Sequence, residues 1–277
     1  MSASDAAELA VRGYVPRAPL LSSELAAALP AEIDRLIAEG IFEAPGDRIV
    51  AGQPTEWILQ LGVVWGRPPA QLTGARSPLL GRLWQALEDL GRSYNATSAA
   101  AIDAGLATAD TMPALAPDGM ELVVNRVVGT RAAAWSGLPL HTDDSRFNNA
   151  LRALGEGSVR HDQVRGRVLT ASGYARPLSP SGERMNDLGG ALPFIVRPQA
   201  RNPGDAAVFG IVPAHHNTGV IFFPRTVHGV GRMPAGSVRY SFQAFYPSRA
   251  AWAVIAQRIA SGELERELAT AVVREAA

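Results

Sequence analysis

GVIFFPRTVHGVGRMPAGSVRYSFQAFYPS, Gly219 to Ser248, is the stretch whose reading decides the fold. Its apolar, β-branched and aromatic residues fall into three short runs: one into Pro224, one from Val227 to Met233, and one from Val238 to Tyr246. Pro234-Ala-Gly236 supplies turn chemistry between the last two, which predicts a hairpin. Alternation along the third run puts Arg239, Ser241, Gln243 and Phe245 on one face, and Tyr240, Phe242, Ala244 and Tyr246 on the other. A cation and a hydroxyl then point where a β-barrel keeps its interior.

If the turn pairs Met233 with Val238, His228 falls opposite Gln243. Arg239 then stands four residues further along, roughly 13 Å away at ~3.3 Å per residue. An extended arginine spans about half of that. The remaining gap matches a short dicarboxylic acid, with His228 as a metal ligand at one end and Arg239 as an anion-binding group at the other.

Composition narrows the chemistry. The 277 residues carry 26 basic and 26 acidic side chains, with no blocks of one sign, so neither nucleic acid nor a membrane is the expected partner. Every basic residue is arginine. Without lysine there is no Schiff base, and a bound carboxylate must be gripped by guanidinium groups. Without cysteine there are no disulfides, thiolate metal sites or thiol nucleophiles, which leaves histidine and carboxylate as metal ligands. No basic segment precedes an apolar core at the N-terminus, and no apolar run reaches membrane-spanning length. A soluble, cytoplasmic protein of one domain, residues 1–277, is the expectation.

Around the deciding stretch, residues 1–119 read as helical and strand support. Residues 1–21 look like a surface arm, a helix begins at Ser22 or Ser23, and Pro30 is placed to open a second one. Short strands are expected between Gly40 and Trp65. Ser77 caps a helix opened by Pro78, whose stripe is Leu80, Leu83, Trp84, Leu87 and Leu90. The core is assigned to 120–248. Glu121 to Gly129, ELVVNRVVG, is a strand whose odd member is Asn125, a poor strand former that needs a hydrogen-bond partner. Residues 151–192, polar and rich in Gly, Ser and Pro, read as a lid inserted in the core. Residues 249–277 form C-terminal helices after a Ser248 cap, which could pair two chains into a homodimer.

His141 and Asp143 in LPLHTDD are two apart and share a face if the strand persists. With His228 they supply two imidazoles and a carboxylate, the facial set that leaves three positions open on a ferrous ion. His215 and His216 compete with His228 but lack an Arg-x-Ser in reach.

These residues resemble the Fe(II)/2-oxoglutarate-dependent oxygenases, and within them the isopenicillin N synthase-like branch. The elements that carry the resemblance are Asn125, His141-Thr142-Asp143, His228 and Arg239-Tyr240-Ser241, with sixteen residues from Asn125 to His141 and eleven from His228 to Arg239. They span Glu121 to Pro247. Two features depart from the pattern: Val127 stands where a tyrosine is usual, and 85 residues separate Asp143 from His228.

The resemblance implies an α+β, mainly β fold: a double-stranded β-helix (jelly roll, cupin-like) core with flanking N- and C-terminal helices. It implies Fe(II) held by His141, Asp143 and His228, and 2-oxoglutarate held by Arg239, Ser241 and Asn125. With dioxygen as co-oxidant, succinate and carbon dioxide are released and an unactivated C–H bond of a small, carboxylated substrate, an amino acid or a natural-product intermediate, is hydroxylated. Arg146 is placed to clamp that substrate. Aspartate at 143 leaves no coordination position for chloride, so halogenation is disfavoured; desaturation, cyclisation and epimerisation stay open. Two readings from other classes also stand: a cupin-like isomerase or hydrolase using another metal, and a non-catalytic barrel that binds a small acid.

Overall fold

The computed structural model describes residues 1–45, 49–50, 52–67, 76–129, 138–141, 155–175, 192–196, 208–212, 215–230, 233 and 236–275. In chain order the elements are α1 (Ala3–Arg12), β1 (Tyr14–Arg17), α2 (Ser23–Ala38), β2 (Ile49–Val50), β3 (Gln53–Pro54), β4 (Glu56–Leu61), α3 (Pro78–Asp103), β5 (Glu121–Val128) and β6 (Leu138–His141). They continue as α4 (Val159–Arg165), β7 (Arg167–Tyr174), β8 (Leu192–Val196), β9 (Val208–Val212), β10 (Gly219–Phe222), β11 (Val227–Val230), β12 (Val238–Pro247), α5 (Arg249–Ala260) and α6 (Glu263–Glu275).

Two antiparallel sheets form the core. The larger has the order β1-β10-β7-β12-β5-β4 and the smaller β6-β11-β8-β9. From β5 onward the chain visits the larger sheet, the smaller, the larger, the smaller twice, the larger, the smaller and the larger again. That alternation is the double-stranded β-helix, with helices on the outside, as the sequence led one to expect.

The deciding stretch folds differently from its first reading. β11 pairs with β6 and β8, whereas β12 pairs with β5 and β7. No hairpin joins them, and His228 does not face Gln243, because the intervening residues carry the chain from one sheet to the other. The separation of His228 from Arg239 therefore crosses the space between sheets, which is about 10 Å wide, instead of running along one ribbon.

Alternation along β12 holds. Tyr240, Phe242, Ala244 and Tyr246 join Leu59, Leu61, Leu122, Val124, Ala171 and Ile221 against Leu25, Leu29, Ile33, Leu36, Leu80, Leu83 and Leu87 of α2 and α3. A second cluster lies between the sheets: Tyr14, Tyr174, Val212, Val220, Phe222 and Val230. One face of the large sheet thus buries apolar side chains under helices, and the other builds the barrel interior.

α3 is capped as expected. Ser77 Oγ accepts from Leu80 N at 3.1 Å and Pro78 opens the first turn. Three expectations need correction. α2 runs unbroken through Pro30, which is buried within it. The apolar stripe under the sheet offsets the cost of about 3 kcal/mol for an interior proline. Residues 1–21 are no loose arm: Ser2 and Asp5 form a capping box, Leu9 is fully buried, and β1 pairs with β10 at the edge of the large sheet. Residues 155–175 of the expected lid hold α4 and the central strand β7, while the remainder of 151–192, apart from Leu192, lies outside the described residues. The Gly that makes β7 look like a loop suits the crowded helix-side face, where a Cβ on Gly173 would collide with Phe242 and Leu20.

Candidate functional site

Strand register assembles the site. β6 and β11 pair antiparallel with His141 directly opposite His228. Opposed positions in an antiparallel ladder lie on one face, with Cβ atoms about 4.5–5.5 Å apart. Two histidines that are 87 positions apart in sequence thus become nearest neighbours across a ladder.

His228 is 3% exposed, and its ring lies 4.6 Å from that of Phe222, centroid to centroid. Its Nδ1 is 2.9 Å from the Thr226 carbonyl oxygen. A carbonyl only accepts, so Nδ1 is the donor, and Nε2 is the nitrogen that could ligate a metal. This is the orientation in which a metal-binding histidine is usually held. Asp143 and Arg146 lie outside the described residues, as does Thr142. Among the described residues no group of three His, Asp or Glu is poised on one ion. His215 and His216 stand beyond the Gly219 end of β10, whereas His228 packs against Phe222 at its other end.

On the inner face of the large sheet, Ser241 of β12 is paired with Asn125 of β5 on one side and Tyr174 of β7 on the other. Two residues back along β12, on the same face, is Arg239, opposite Val127. Arg239 is only 7% exposed, and its Nε and Nη1 are buried without a hydrogen-bond partner. Asn125 Oδ1 is also buried and unpartnered. A buried guanidinium with two empty donors is costly unless an anion completes it. The far carboxylate of a diacid would supply that charge, so the residues present fit the 2-oxoglutarate that the sequence resemblance implies.

Tyr174 falls in a segment whose polar, Gly- and Ser-rich composition reads as loop in the sequence. The legible signal was the alternation in RVLTASGY, masked by its small polar residues. The structure sets this buried residue in the row of Asn125 and Ser241, two strands and one row away from Val127, where the usual tyrosine would stand. In the row that runs from Phe222 through Thr170 and Phe245, Glu121 accepts from Arg167 at 3.0 and 2.8 Å and from Trp65 at 2.6 Å.

No family model matches the sequence, nor does any curated protein. Solved structures do match. A Pseudomonas putida prolyl-4-hydroxylase is 21% identical with a TM-score of 0.55, over 90% of this chain and 100% of the other. A Trichoplax adhaerens prolyl hydroxylase, solved with a hypoxia-inducible-factor peptide, is 15% identical with a TM-score of 0.54, over 91% of each chain. The non-haem, α-ketoglutarate-dependent epimerase SnoN of nogalamycin biosynthesis is 18% identical with a TM-score of 0.52, over 88% of this chain and 81% of the other. The chain therefore has the double-stranded β-helix fold seen in these prolyl hydroxylase and 2-oxoglutarate-dependent epimerase structures.

Proposed function

We propose that this protein is an Fe(II)- and 2-oxoglutarate-dependent oxygenase that hydroxylates a C–H bond of a small substrate. The observation that carries the reading is Arg239, a buried guanidinium with unfilled donors on the inner face of a sheet whose partner sheet pairs His141 with His228. His141, Asp143 and His228 would hold the iron; Arg239, Ser241 and Asn125 would hold 2-oxoglutarate, with Tyr174 beside them. When bound, iron and 2-oxoglutarate supply the oxidising equivalents from dioxygen, with succinate and carbon dioxide as co-products.

The chain's own residues orient and shield. Thr226 O fixes the His228 tautomer through Nδ1–H. Arg239 would hold the distal carboxylate of the diacid, leaving its keto-acid end for the metal that the two histidines would bind. Phe222, Val220 and Val230 wall that space and exclude water from it. The sequence resemblance to the isopenicillin N synthase-like branch stands beside the structural likeness to hydroxylases and an epimerase, so epimerisation, desaturation and cyclisation are the alternative outcomes of one site.

The test is succinate formation from 2-oxoglutarate by purified protein with and without ferrous ion. Iron-dependent succinate, even uncoupled from substrate, supports the reading. Metal-loaded protein that binds 2-oxoglutarate yet yields no succinate with any candidate substrate would favour a non-catalytic acid-binding barrel.

A further inference from the structure

Beside the candidate site, at the β4 edge of the large sheet, lies a polar cavity of about 210 Å³ lined by Glu43, Ile58, Gln60, Trp65, Arg67 and Arg160. Its floor is continuous with the barrel interior. Glu43 bridges to Ile58, Ile58 pairs with Asn125, and Asn125 pairs with Ser241, all in one row. Gln60 begins the next row, through Val123 to Gln243. At about 4.8 Å per strand, Ile58 is only ~10 Å from Ser241.

The small sheet is too narrow to cover this edge. Its outer strand β9 stands over β1 on the far side, where a Cβ on Gly210 would collide with the Tyr14 ring. Four strands span about 14 Å between outer axes and six span about 24 Å. The inner face of β4 therefore projects beyond the small sheet and forms a recess at the side of the interior.

The recess carries both signs of charge. Arg67 pairs with Glu43 through Nη2. Arg160 gives its Nε to Glu267 at 3.0 Å and lies over the Trp65 ring at 5.9 Å. Among the described residues, neither terminal nitrogen of Arg160 has a hydrogen-bond partner, so the fork that grips a carboxylate is unspent. Among the described residues, Ile58 is the one aliphatic side chain of the wall.

We propose that this recess is the substrate subsite and that it takes a free amino acid or a similarly small zwitterion, with the carboxylate on Arg160 and Arg67 and the ammonium on Glu43. The assignment rests on the oxygenase reading for its role as a substrate site, but not for binding. Gln60 offers a donor and an acceptor to the same groups, and Ile58 guides the ligand's side chain along the sheet toward Asn125 and the two histidines.

Calorimetric titration of metal-free protein with the twenty L-amino acids tests this, alongside the methyl ester and N-acetyl form of any binder and acetate as a plain carboxylate. At least one amino acid binds with a Kd below about 10 mM, and its ester and its N-acetyl form each bind about tenfold or more weakly. Arg160→Gln and Arg67→Gln each weaken binding by about tenfold. Glu267→Gln, which removes the ion pair of Arg160 but keeps the guanidinium, changes it less than about twofold.

Binding by no amino acid, equal binding of the N-acetyl form, or a loss in Glu267→Gln equal to that in Arg160→Gln overturns the proposal. In the same preparation, 2-oxoglutarate binding to wild type and Arg239→Met separates the two claims. If 2-oxoglutarate binds through Arg239 and amino acids do not bind, the subsite fails and the oxygenase reading stands. If amino acids bind through Arg160 and 2-oxoglutarate does not bind, the oxygenase reading fails.

Discussion

Tyr240 donates its phenol hydrogen to Asp34 of α2 at 2.7 Å, which ties the strand between Arg239 and Ser241 to the helix layer behind it. The other carboxylate oxygen of Asp34 lies 2.8 Å from Arg126 Nε, and Arg126 is paired across the ladder with both Tyr240 and Trp57. The Arg126 guanidinium also stacks on the Trp57 ring at 4.7 Å. A single helical carboxylate thus gathers three strands at the level of the candidate cosubstrate site. Asp34→Ala is expected to destabilise the protein by about 1–3 kcal/mol and to weaken 2-oxoglutarate binding severalfold. Thermal unfolding and cosubstrate titration check both; unchanged affinity would limit the cluster to a structural role.

Arg239 exchanges stability for binding. Arg239→Met removes two buried donors that have no hydrogen-bond partner, so the ligand-free protein should melt higher, by about 1–2 kcal/mol or ~2–4 °C. The stabilisation that 2-oxoglutarate gives wild type by mass action should vanish in the variant. Thermal shift with and without 2-oxoglutarate reads both effects. A variant that melts lower and still gains from 2-oxoglutarate would contradict the assignment.

The paired histidines should act as a unit toward a metal. His228→Ala and His141→Ala are each expected to lower ferrous affinity by roughly 100-fold or more, judged by the 10–100-fold losses typical of merely supporting residues. The visible absorption of the anaerobic Fe(II)/2-oxoglutarate complex should be lost in both. His215→Ala, beyond the opposite end of β10, should keep it.

Alkaline pH should unfold the protein through its tyrosines. Burial raises Tyr94 and Tyr246 well above the usual phenol range, and it raises Tyr240 too, with Asp34 adding to the effect. Their folded pKa values exceed the unfolded value near 10, so the stability they carry is complete below pH ~10 and declines as pH rises above it. Each contributes a slope of about 1.4 kcal/mol per pH unit, because only the unfolded chain releases the proton. Absorbance titration at alkaline pH should show Tyr94, Tyr240 and Tyr246 ionising only together with the loss of structure.

Glu121 and Arg167 form an ion pair with side chains 1% and 7% exposed. Glu121→Gln leaves Arg167 charged and buried, at an expected cost of about 3–5 kcal/mol. Glu121→Leu combined with Arg167→Met should recover much of that loss. Denaturant midpoints of the single and double variants measure it.

Much of the fold was legible because local chemistry dictated it. The Ser77-Pro78 cap, the leucine stripe of α3, the Ser248 cap and the alternation along Val238–Tyr246 follow from helical and strand periods that need no distant partner. The inward placement of Arg239 and Ser241 followed from the same alternation. β1, α1 and β7 were not legible: each is short or small-residued, and becomes regular only because a neighbour buries it.

By itself the sequence determined which chemistry was affordable: no lysine, no cysteine, and a small set of histidines, carboxylates and arginines at suggestive spacings. Only the tertiary structure decided that His228 meets His141 across a ladder and not Gln243 across a hairpin. Strand propensity states that a segment is extended but not which sheet receives it. That choice is made by long-range pairing and by the burial of each face, Tyr240 under the helices and Arg239 in the interior, which no local stretch encodes.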